Sequence, residues 1–335
     1  MPPRLPTQTI FFVVMMVTGF LGTESIAGET PQVRNGTAMS AEKKVATPEK
    51  EPFNLAWKTT GGMQFWTDHL YRDGYRIQQN AVTGHWRLLN NDNVRLGWGS
   101  RRTCESVLER KYPESRIKHN TRSTVVLLHG LMRTRTSMSS LEKELRANSY
   151  PDVIRFSYAS TRKSISDHAD ALKEVLEQLP NKTELRFVGH SMGNIVVRHM
   201  LKDLQKSDPK KLLPRCKSMV MLGPPNQGAM IAKRLAPTGI FGWVTGAGGL
   251  ELGPDWEKLE KNLATPSFPF AIVAGDVSSQ PIQNPLTEGS GDFVVSVEEA
   301  KLDGAEWLKT VPVLHSFLMD DSDVQKMTID FLSNH

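Results

Sequence analysis

The stretch "LRFVGHSMGNIVVRHML", Leu185 to Leu201, decides the fold. Its first residues are apolar and its later residues follow a helical pattern, so it predicts a buried strand that turns directly into a helix. Ser191 lies at this turn, between Gly189 and Gly193. A strained, sharp turn directs a serine Oγ out of a sheet, and side chains at the flanking positions would collide there. The stretch therefore predicts a nucleophile elbow.

Length and composition limit the possible classes of protein. The chain has 335 residues, of which 39% are hydrophobic and 23% charged. This is enough for one sizeable core with a smaller appended region, and too little for three domains. The net charge is +5, but basic residues are interspersed with acidic ones and form no dense run. We expect no nucleic-acid partner, and the sequence gives no signal of oligomeric state.

The N-terminus has the pattern of an export signal. Arg4 precedes an apolar run from Ile10 to Gly22, and Ser25 and Ala27 occupy the small-residue positions of a cleavage site. The run is shorter than the ~20 residues that a membrane-spanning helix needs. We expect a signal peptide over residues 1–27, cleaved near Ala27, and export to the periplasm or the medium. An uncleaved N-terminal membrane anchor is the alternative.

Three further regions follow the predicted signal peptide. Residues 28–52 are polar and rich in proline, which predicts a disordered linker. Residues 53–122 alternate apolar and polar residues around turn signals, so we expect short antiparallel strands and a helix joined to the core. We expect these strands to be the first strands of the main sheet. Residues 123–335 alternate strands with helices, which predicts an α/β fold with a mostly parallel sheet covered on both faces.

Cys104 and Cys216 are the only two cysteines in the chain. In an exported protein they could form a disulfide, and two buried free thiols are the alternative that composition favours. No C-x-x-C pair or histidine cluster has the spacing of a metal site. We therefore expect no metal.

Two residues downstream of Ser191 could complete a catalytic constellation. Asp292 lies on a glycine-rich turn in "GSGDFVVSVEEA", and His315 lies in "VPVLHSFL", before the final helix. A histidine suits the role of general base and then general acid, and a carboxylate can orient it. Asp276, in "VAGDVSS", is the rival carboxylate. Along the chain the three candidates stand in the order Ser191, Asp292, His315.

Residues from about 123 to 335 resemble the α/β hydrolases of the serine esterase or lipase type. The resemblance rests on five stretches, which are "GSGDFVVSVEEA", "LHSFL", "VVLLHGLMRTRTSM", "LRFVGHSMGNIVVRHML" and "MVMLGPPNQGA". In the last of these, Pro224 stands where bacterial lipases usually have threonine. The Gly-Asp followed by an apolar pair, which is a pattern of this family, also favours Asp292 over Asp276.

The resemblance implies roles for further residues. His129 and Gly130 end a buried strand about 60 residues before the serine, where this family has its oxyanion loop. The backbone N–H groups of Leu131 and Met192 would then form the oxyanion hole, and His190 lies within the elbow. The implied reaction is acyl transfer through a covalent intermediate on Ser191, without a cofactor.

The segment 229–269 is where specificity is expected. It is rich in apolar residues and glycine and follows a strand end, where this fold inserts lids. A mobile apolar cap would favour acyl chains or lipid, with transient contact to a lipid surface. A pair of core helices is the alternative. The four side chains that distinguish these interpretations are Ile240, Phe241, Trp243 and Val244.

We expect a small-molecule or lipid ester as substrate. An acyltransferase or a thioesterase on the same scaffold remains an alternative, because the sequence does not identify the acyl acceptor. A non-catalytic binding module is less favoured, since all three triad residue types and both elbow glycines are present.

Overall fold

The structure is a computed structural model, and it describes residues 52–113, 123–229, 240–279 and 290–335. For residues 240–245 it describes the backbone alone. The predicted signal peptide and its cleavage site lie outside the described residues, as does the predicted linker except for its last residue. Residues Asn54–His335 form one compact unit.

Strands and helices alternate after residue 122. The described strands are β1 Trp57–Lys58, β2 Trp66–Arg72, β3 Tyr75–Asn80, β4 Trp86–Leu89, β5 Val94–Gly99, β6 Ser123–Leu128, β7 Val153–Phe156, β8 Glu184–His190, β9 Cys216–Leu222, β10 Phe270–Gly275 and β11 Trp307–Val311. The described α-helices are α1 Arg101–Lys111, α2 Ser139–Ala147, α3 Ile165–Glu177, α4 Met192–Lys206, α5 Ile240–Leu252, α6 Trp256–Glu260, α7 Val297–Ala300 and α8 Ser322–Asn334.

The central sheet consists of six parallel strands in the order β11-β10-β9-β8-β6-β7. Its strands are mostly apolar because helices cover both faces, and the edge strand β11 is the exception, with Lys309 and Thr310 exposed. One face packs against α3 and α4, for example through Leu172 and Ile195. The other face packs against α2 and α8, for example through Leu145 and Phe331. The carboxyl ends of the parallel strands share one edge, where the candidate site lies.

The N-terminal strands are antiparallel, as the alternating pattern predicts, but they form a sheet of their own in the order β1-β5-β4-β3-β2. The expectation that they begin the main sheet is therefore corrected. Helix α1 packs on this sheet and gives it a separate small core, which includes Ile77, Leu88 and Leu108. A five-stranded sheet with its own helix can bury an apolar face without pairing to the parallel strands.

A buried polar cluster joins the two sheets. The N–H of Asp68 donates to the Ser157 carbonyl at 2.8 Å, and Asp68 Oδ2 accepts the N–H of Ser157 at 2.8 Å. Asp68 Oδ1 accepts from Gln78 Nε2 at 2.7 Å and lies 3.6 Å from Arg76 Nη1. Asp68 and Arg76 are both buried. Burial lowers the pKa of Arg76 to about 10, so the guanidinium remains charged at neutral pH and needs this carboxylate.

Part of the predicted cap is integrated into the core. Helix α5 is broken at Gly246, whose φ of 63° is open to glycine. Beyond this break, Leu252, Trp256 and Leu259 are buried in the same cluster as the helices that cover the sheet. This half of the segment therefore has the character of core helices. The side chains of Ile240, Phe241, Trp243 and Val244, which would distinguish a lid from core helices, are not among those that the structure describes.

Cys104 and Cys216 are buried and unbonded. Burial raises the pKa of each thiol to about 12, so both are protonated and unreactive at neutral pH. Among the described residues, no helix combines the length and the apolar character needed to cross a membrane. In the same part of the chain, no group of three or more His, Cys, Asp or Glu side chains is arranged to hold a metal ion.

Replacing Asp68 with Ala should lower the free energy of unfolding by about 3–5 kcal/mol, because it leaves the Arg76 charge buried without its carboxylate. It also removes the side-chain acceptor for the Ser157 N–H. Urea unfolding monitored by circular dichroism measures the change. Asp92→Ala is the matched control, because Asp92 is exposed on a turn of the same sheet. Equal stabilities of the two variants would contradict this account.

Candidate active site

Ser191 lies between the end of β8 and the start of α4. Its backbone has φ 53° and ψ −124°, which is a strained conformation for a residue with a side chain. The N–H of Ser191 donates to the Leu222 carbonyl at 2.8 Å, so the turn is tied to the neighbouring strand β9. The residue is 8% exposed. The turn thus holds a serine in a fixed, strained position at the carboxyl edge of the sheet.

Close packing explains the two glycines of the elbow. A Cβ atom at Gly189 would lie 2.3 Å from Asn194 Oδ1, and one at Gly193 would lie 2.7 Å from the Leu128 carbonyl oxygen. Carbon atoms do not approach oxygen this closely without displacement. The elbow can therefore form against β6 and α4 only if neither position carries a side chain.

The loop after β6 runs beside the serine. A Cβ atom at Gly130 would lie 3.0 Å from Ser191 Cβ, so the loop backbone contacts the elbow directly. In the part of the chain that the structure describes, neither the N–H of Leu131 nor that of Met192 has a protein acceptor. Leu131 follows Gly130, and Met192 is the first residue of α4. Both are donors without acceptors beside the serine.

Helix α5 packs against the side chains of Leu131 and Met192. A Cβ atom at Gly248 would lie 3.0 Å from Met192 Sδ and 3.7 Å from Leu131 Cδ1. The side chains of the two residues with free N–H groups therefore border this helix. The part of the predicted cap beyond Gly246 lies next to the candidate site rather than at a distance from it.

Asp292 and His315 are brought together at the carboxyl ends of β10 and β11. His315 Nδ1 lies 2.7 Å from Asp292 Oδ2, and Asp292 Oδ1 accepts the N–H groups of Val294 and Val295 at 3.0 and 2.8 Å. Asp292 is 1% exposed. The rival, Asp276, instead accepts the N–H of Ser278 with its Oδ1 and has no described contact with His315. The geometry places Asp292, not Asp276, against the histidine.

His190 connects His315 to the elbow. His190 Nε2 lies 2.9 Å from the His315 carbonyl oxygen, and the two rings are 4.8 Å apart. Burial lowers the pKa of His190 well below its ordinary value, so the ring is neutral, and Nε2 carries the proton because a carbonyl can only accept. A Cβ atom at Gly223 would lie 3.0 Å from His315 Nδ1. The residues that flank Ser191 and β9 thus fix the position of His315.

A buried aromatic stack supports the loop. The ring of His129 stacks on Tyr158 at 4.1 Å, and Tyr158 also contacts His168. The Tyr158 hydroxyl donates to the His129 carbonyl. Burial lowers the pKa of His129 to about 4 and that of His168 to about 3, so both rings are neutral at pH 7. Their described contacts make them supports of the loop backbone rather than proton carriers.

Sequence reasoning missed Tyr158 and Gln64, both of which hold the loop. Tyr158 ends the stretch that predicts strand β7, and its hydroxyl could have been expected to seek a buried partner. Gln64 carries no sequence signal, because its acceptors and donors are backbone and hydroxyl groups about 70 to 100 residues away.

Comparisons with known proteins find a family model and several solved structures that are similar to this chain. The family model described as alpha/beta hydrolase of unknown function (DUF900) matches residues 146–239. No curated protein matches the chain. Similar solved structures include the mature lipase BlEst2 of Bacillus licheniformis, with 16% identity, a TM-score of 0.48, and coverage of 63% of this chain and 90% of that one.

Two other similar structures are a metagenomic carboxyl esterase, MGS0156, and the phospholipase PlaB of Legionella pneumophila. The esterase has 17% identity and a TM-score of 0.43, with 58% of this chain and 65% of that one covered. The phospholipase has 18% identity and a TM-score of 0.43, with 53% and 45% covered. The residues matched by the family model contain β8, the turn at Ser191 and α4. The chain has an α/β-hydrolase fold, since the family model matches residues 146–239 and the central strands form a six-stranded parallel sheet.

Proposed function

We propose that the chain is a serine hydrolase that cleaves carboxylic esters through an acyl-enzyme intermediate. The observation that carries the proposal is the 2.7 Å contact between His315 Nδ1 and Asp292 Oδ2, next to the strained turn that holds Ser191. A carboxylate that orients a histidine beside an activated serine is the arrangement of acyl-transfer enzymes.

Proton transfer follows from the hydrogen bonds of the histidine. Because Asp292 Oδ2 accepts from Nδ1 of His315, the neutral ring has its lone pair on Nε2. In the proposed reaction this nitrogen takes the proton of Ser191 Oγ as the serine attacks the ester carbonyl, and then delivers it to the leaving alcohol. Asp292 continues to accept the N–H groups of Val294 and Val295 during the reaction, and its carboxylate stabilises the imidazolium that forms.

The oxyanion is assigned to the N–H groups of Leu131 and Met192. Both donors lack protein acceptors among the described residues, and both lie beside Ser191. The N-terminus of α4 adds its positive partial charge at the same point. Preorganised donors of this kind stabilise the tetrahedral intermediate more than the planar ester, and therefore raise kcat.

The proposed substrates are small-molecule or lipid esters. The apolar side chains of Leu131 and Met192 belong to residues beside the serine, and α5 packs against both of them at Gly248. An acyl chain is the part of an ester that suits such a surface. An acyltransferase or a thioesterase would use the same three side chains, and analysis of products formed with an added alcohol separates these from hydrolysis.

Export remains a proposal that rests on residues 1–27 of the sequence. We expect the chain to be shortened when it is produced in an exporting host, because the apolar run and its small-residue site suit signal peptidase. Intact-mass measurement of the purified product should show an N-terminus at Gly28. A full-length mass in the membrane fraction would instead favour an uncleaved anchor.

Replacing Ser191 with Ala should reduce hydrolysis of p-nitrophenyl esters, tested from acetyl to palmitoyl, by roughly 10⁶-fold to the background. The change removes the only atom proposed to attack the carbonyl. Ser207→Ala is the matched control, because Ser207 is exposed at the other end of α4. A fluorophosphonate should label the parent chain and Ser207→Ala but not Ser191→Ala. Full activity in Ser191→Ala would refute the proposed nucleophile.

Replacing Asp292 with Asn should lower kcat by about 10⁴-fold, because an amide favours the wrong tautomer of His315. The backbone donors of Val294 and Val295 retain an acceptor in the variant, so the turn should be preserved. Asp276→Asn is the matched control and should keep kcat within a few-fold of the parent. Steady-state kinetics on one ester compares the two. A larger loss in Asp276→Asn than in Asp292→Asn would reverse the assignment.

A further inference from the structure

We propose that Gln64, from the N-terminal antiparallel region, is a positioning residue that fixes the oxyanion loop in its active shape. This inference rests on the proposed function and adds a residue to it. Gln64 lies in the 3₁₀ turn Met63–Phe65, immediately before β2. It is therefore outside the parallel sheet that carries the three proposed catalytic side chains.

The amide of Gln64 uses both of its ends. Its Nε2 donates to the carbonyl oxygen of Arg133 at 2.6 Å, in the loop after β6. Its Oε1 accepts from Ser160 Oγ at 2.9 Å and from Thr161 Oγ1 at 3.2 Å, after β7. Because a carbonyl can only accept, the orientation of the amide is fixed by Arg133.

Ser160 extends this contact to a second loop residue. Since the Ser160 hydroxyl donates its hydrogen to Gln64, its lone pairs are free to accept, and it takes the N–H of Met132 at 3.1 Å. Gln64 thus holds Arg133 directly and Met132 through Ser160. Met132 and Arg133 are the two residues that follow Leu131, whose backbone N–H is one of the two proposed donors to the oxyanion.

The loop needs such support because its backbone is strained. Met132 has φ 59°, in the left-handed region that residues with side chains rarely adopt. The N–H of Arg133 donates to the Gly130 carbonyl at 3.2 Å and closes a tight turn around Leu131. Strain of this kind costs about 1–3 kcal/mol and persists only where neighbouring contacts hold it. The contacts available from outside the loop include those of Gln64, Ser160 and Tyr158.

Loss of these contacts should affect the transition state more than substrate binding. An oxyanion donor that moves by a fraction of an ångström forms a weaker hydrogen bond to the oxygen that becomes charged in the transition state. The neutral ester of the ground state depends much less on this hydrogen bond. The neighbouring stack of His129 on Tyr158 still holds the start of the loop. We therefore expect a defect in kcat without a general loss of structure.

The test compares three variants in the full chain. Gln64→Met retains the length of the side chain but can make none of the three hydrogen bonds of Gln64. Gln64→Glu keeps the acceptor for Ser160 and Thr161 but loses the donor for Arg133. Gln79→Met is the matched control, because Gln79 lies on β3 of the neighbouring antiparallel sheet and, among the described residues, its side chain makes a single long bond of 3.4 Å to Gly84. Each variant is assayed for kcat, KM, melting temperature and affinity for an alkyl trifluoromethyl ketone, whose adduct with a serine carries an oxyanion.

Gln64→Met should lower kcat and the ketone affinity together by about 10- to 100-fold, with KM within threefold of the parent, since misplacing a catalytic group by about 1 Å costs up to about 10². Gln64→Glu should fall between Gln64→Met and the parent, and Gln79→Met should match the parent. Ser160→Ala, which removes the acceptor for Met132, provides a second variant if Gln64→Met fails to fold. It should lower kcat in the same way.

Unchanged kcat and ketone affinity in a folded Gln64→Met would overturn the positioning role while leaving the esterase proposal intact. A parallel fall of kcat and melting temperature with unchanged ketone affinity would also overturn it, since that result indicates a structural role only. If the parent chain shows no Ser191-dependent hydrolysis in the same assay, the proposed function fails and this inference fails with it.

Discussion

The backbone conformation of Ser191 is the constraint on which the rest of the site depends. A residue with a side chain is held at φ 53° only because β9, β6 and α4 surround the turn and leave no room for relaxation. The glycines at 189 and 193 exist because the neighbouring strand and helix approach the backbone so closely. The parallel sheet is thus a rigid support for one strained residue, which the end of β9 and the loop after β6 contact directly.

Burial of neutral groups around this turn is a second common feature. His129, His168 and His190 are all enclosed, and burial lowers the pKa of each below its ordinary value. They therefore contribute hydrogen bonds and ring contacts at neutral pH without adding charge beside the serine. His315 differs in its setting, because it has a carboxylate at Nδ1. Among the histidines that the structure describes, the one that is paired with a buried acid is the one with a proposed role in proton transfer.

Much of the parallel sheet and the elbow could be predicted because their signals are local. Apolar runs of strand length, glycines next to Ser191 and the chain order of Asp292 and His315 are all readable without tertiary structure. The separate N-terminal sheet could not be distinguished from a continuation of the main sheet, because alternation predicts a strand but not its neighbour. Asp68 and Arg76 are charged residues, which a sequence alone would place in solvent, whereas the structure buries both and bonds Asp68 to Ser157. The role of Gln64 could not be predicted either, because it depends on tertiary contacts with loops far away in the sequence.

The contacts of Gln64 and Asp68 also bear on where this protein could be divided. A shortened chain that begins at Ser123 would retain all five residues with a proposed catalytic role, namely Ser191, Asp292, His315, Leu131 and Met192, and by motif alone it would look complete. It would nevertheless lack the carboxylate that meets Ser157 and the amide that holds the loop after β6. The antiparallel sheet is therefore not a detachable module. With Gln64 in its proposed role, the smallest catalytic unit of this protein is larger than the segment that carries its recognisable motifs.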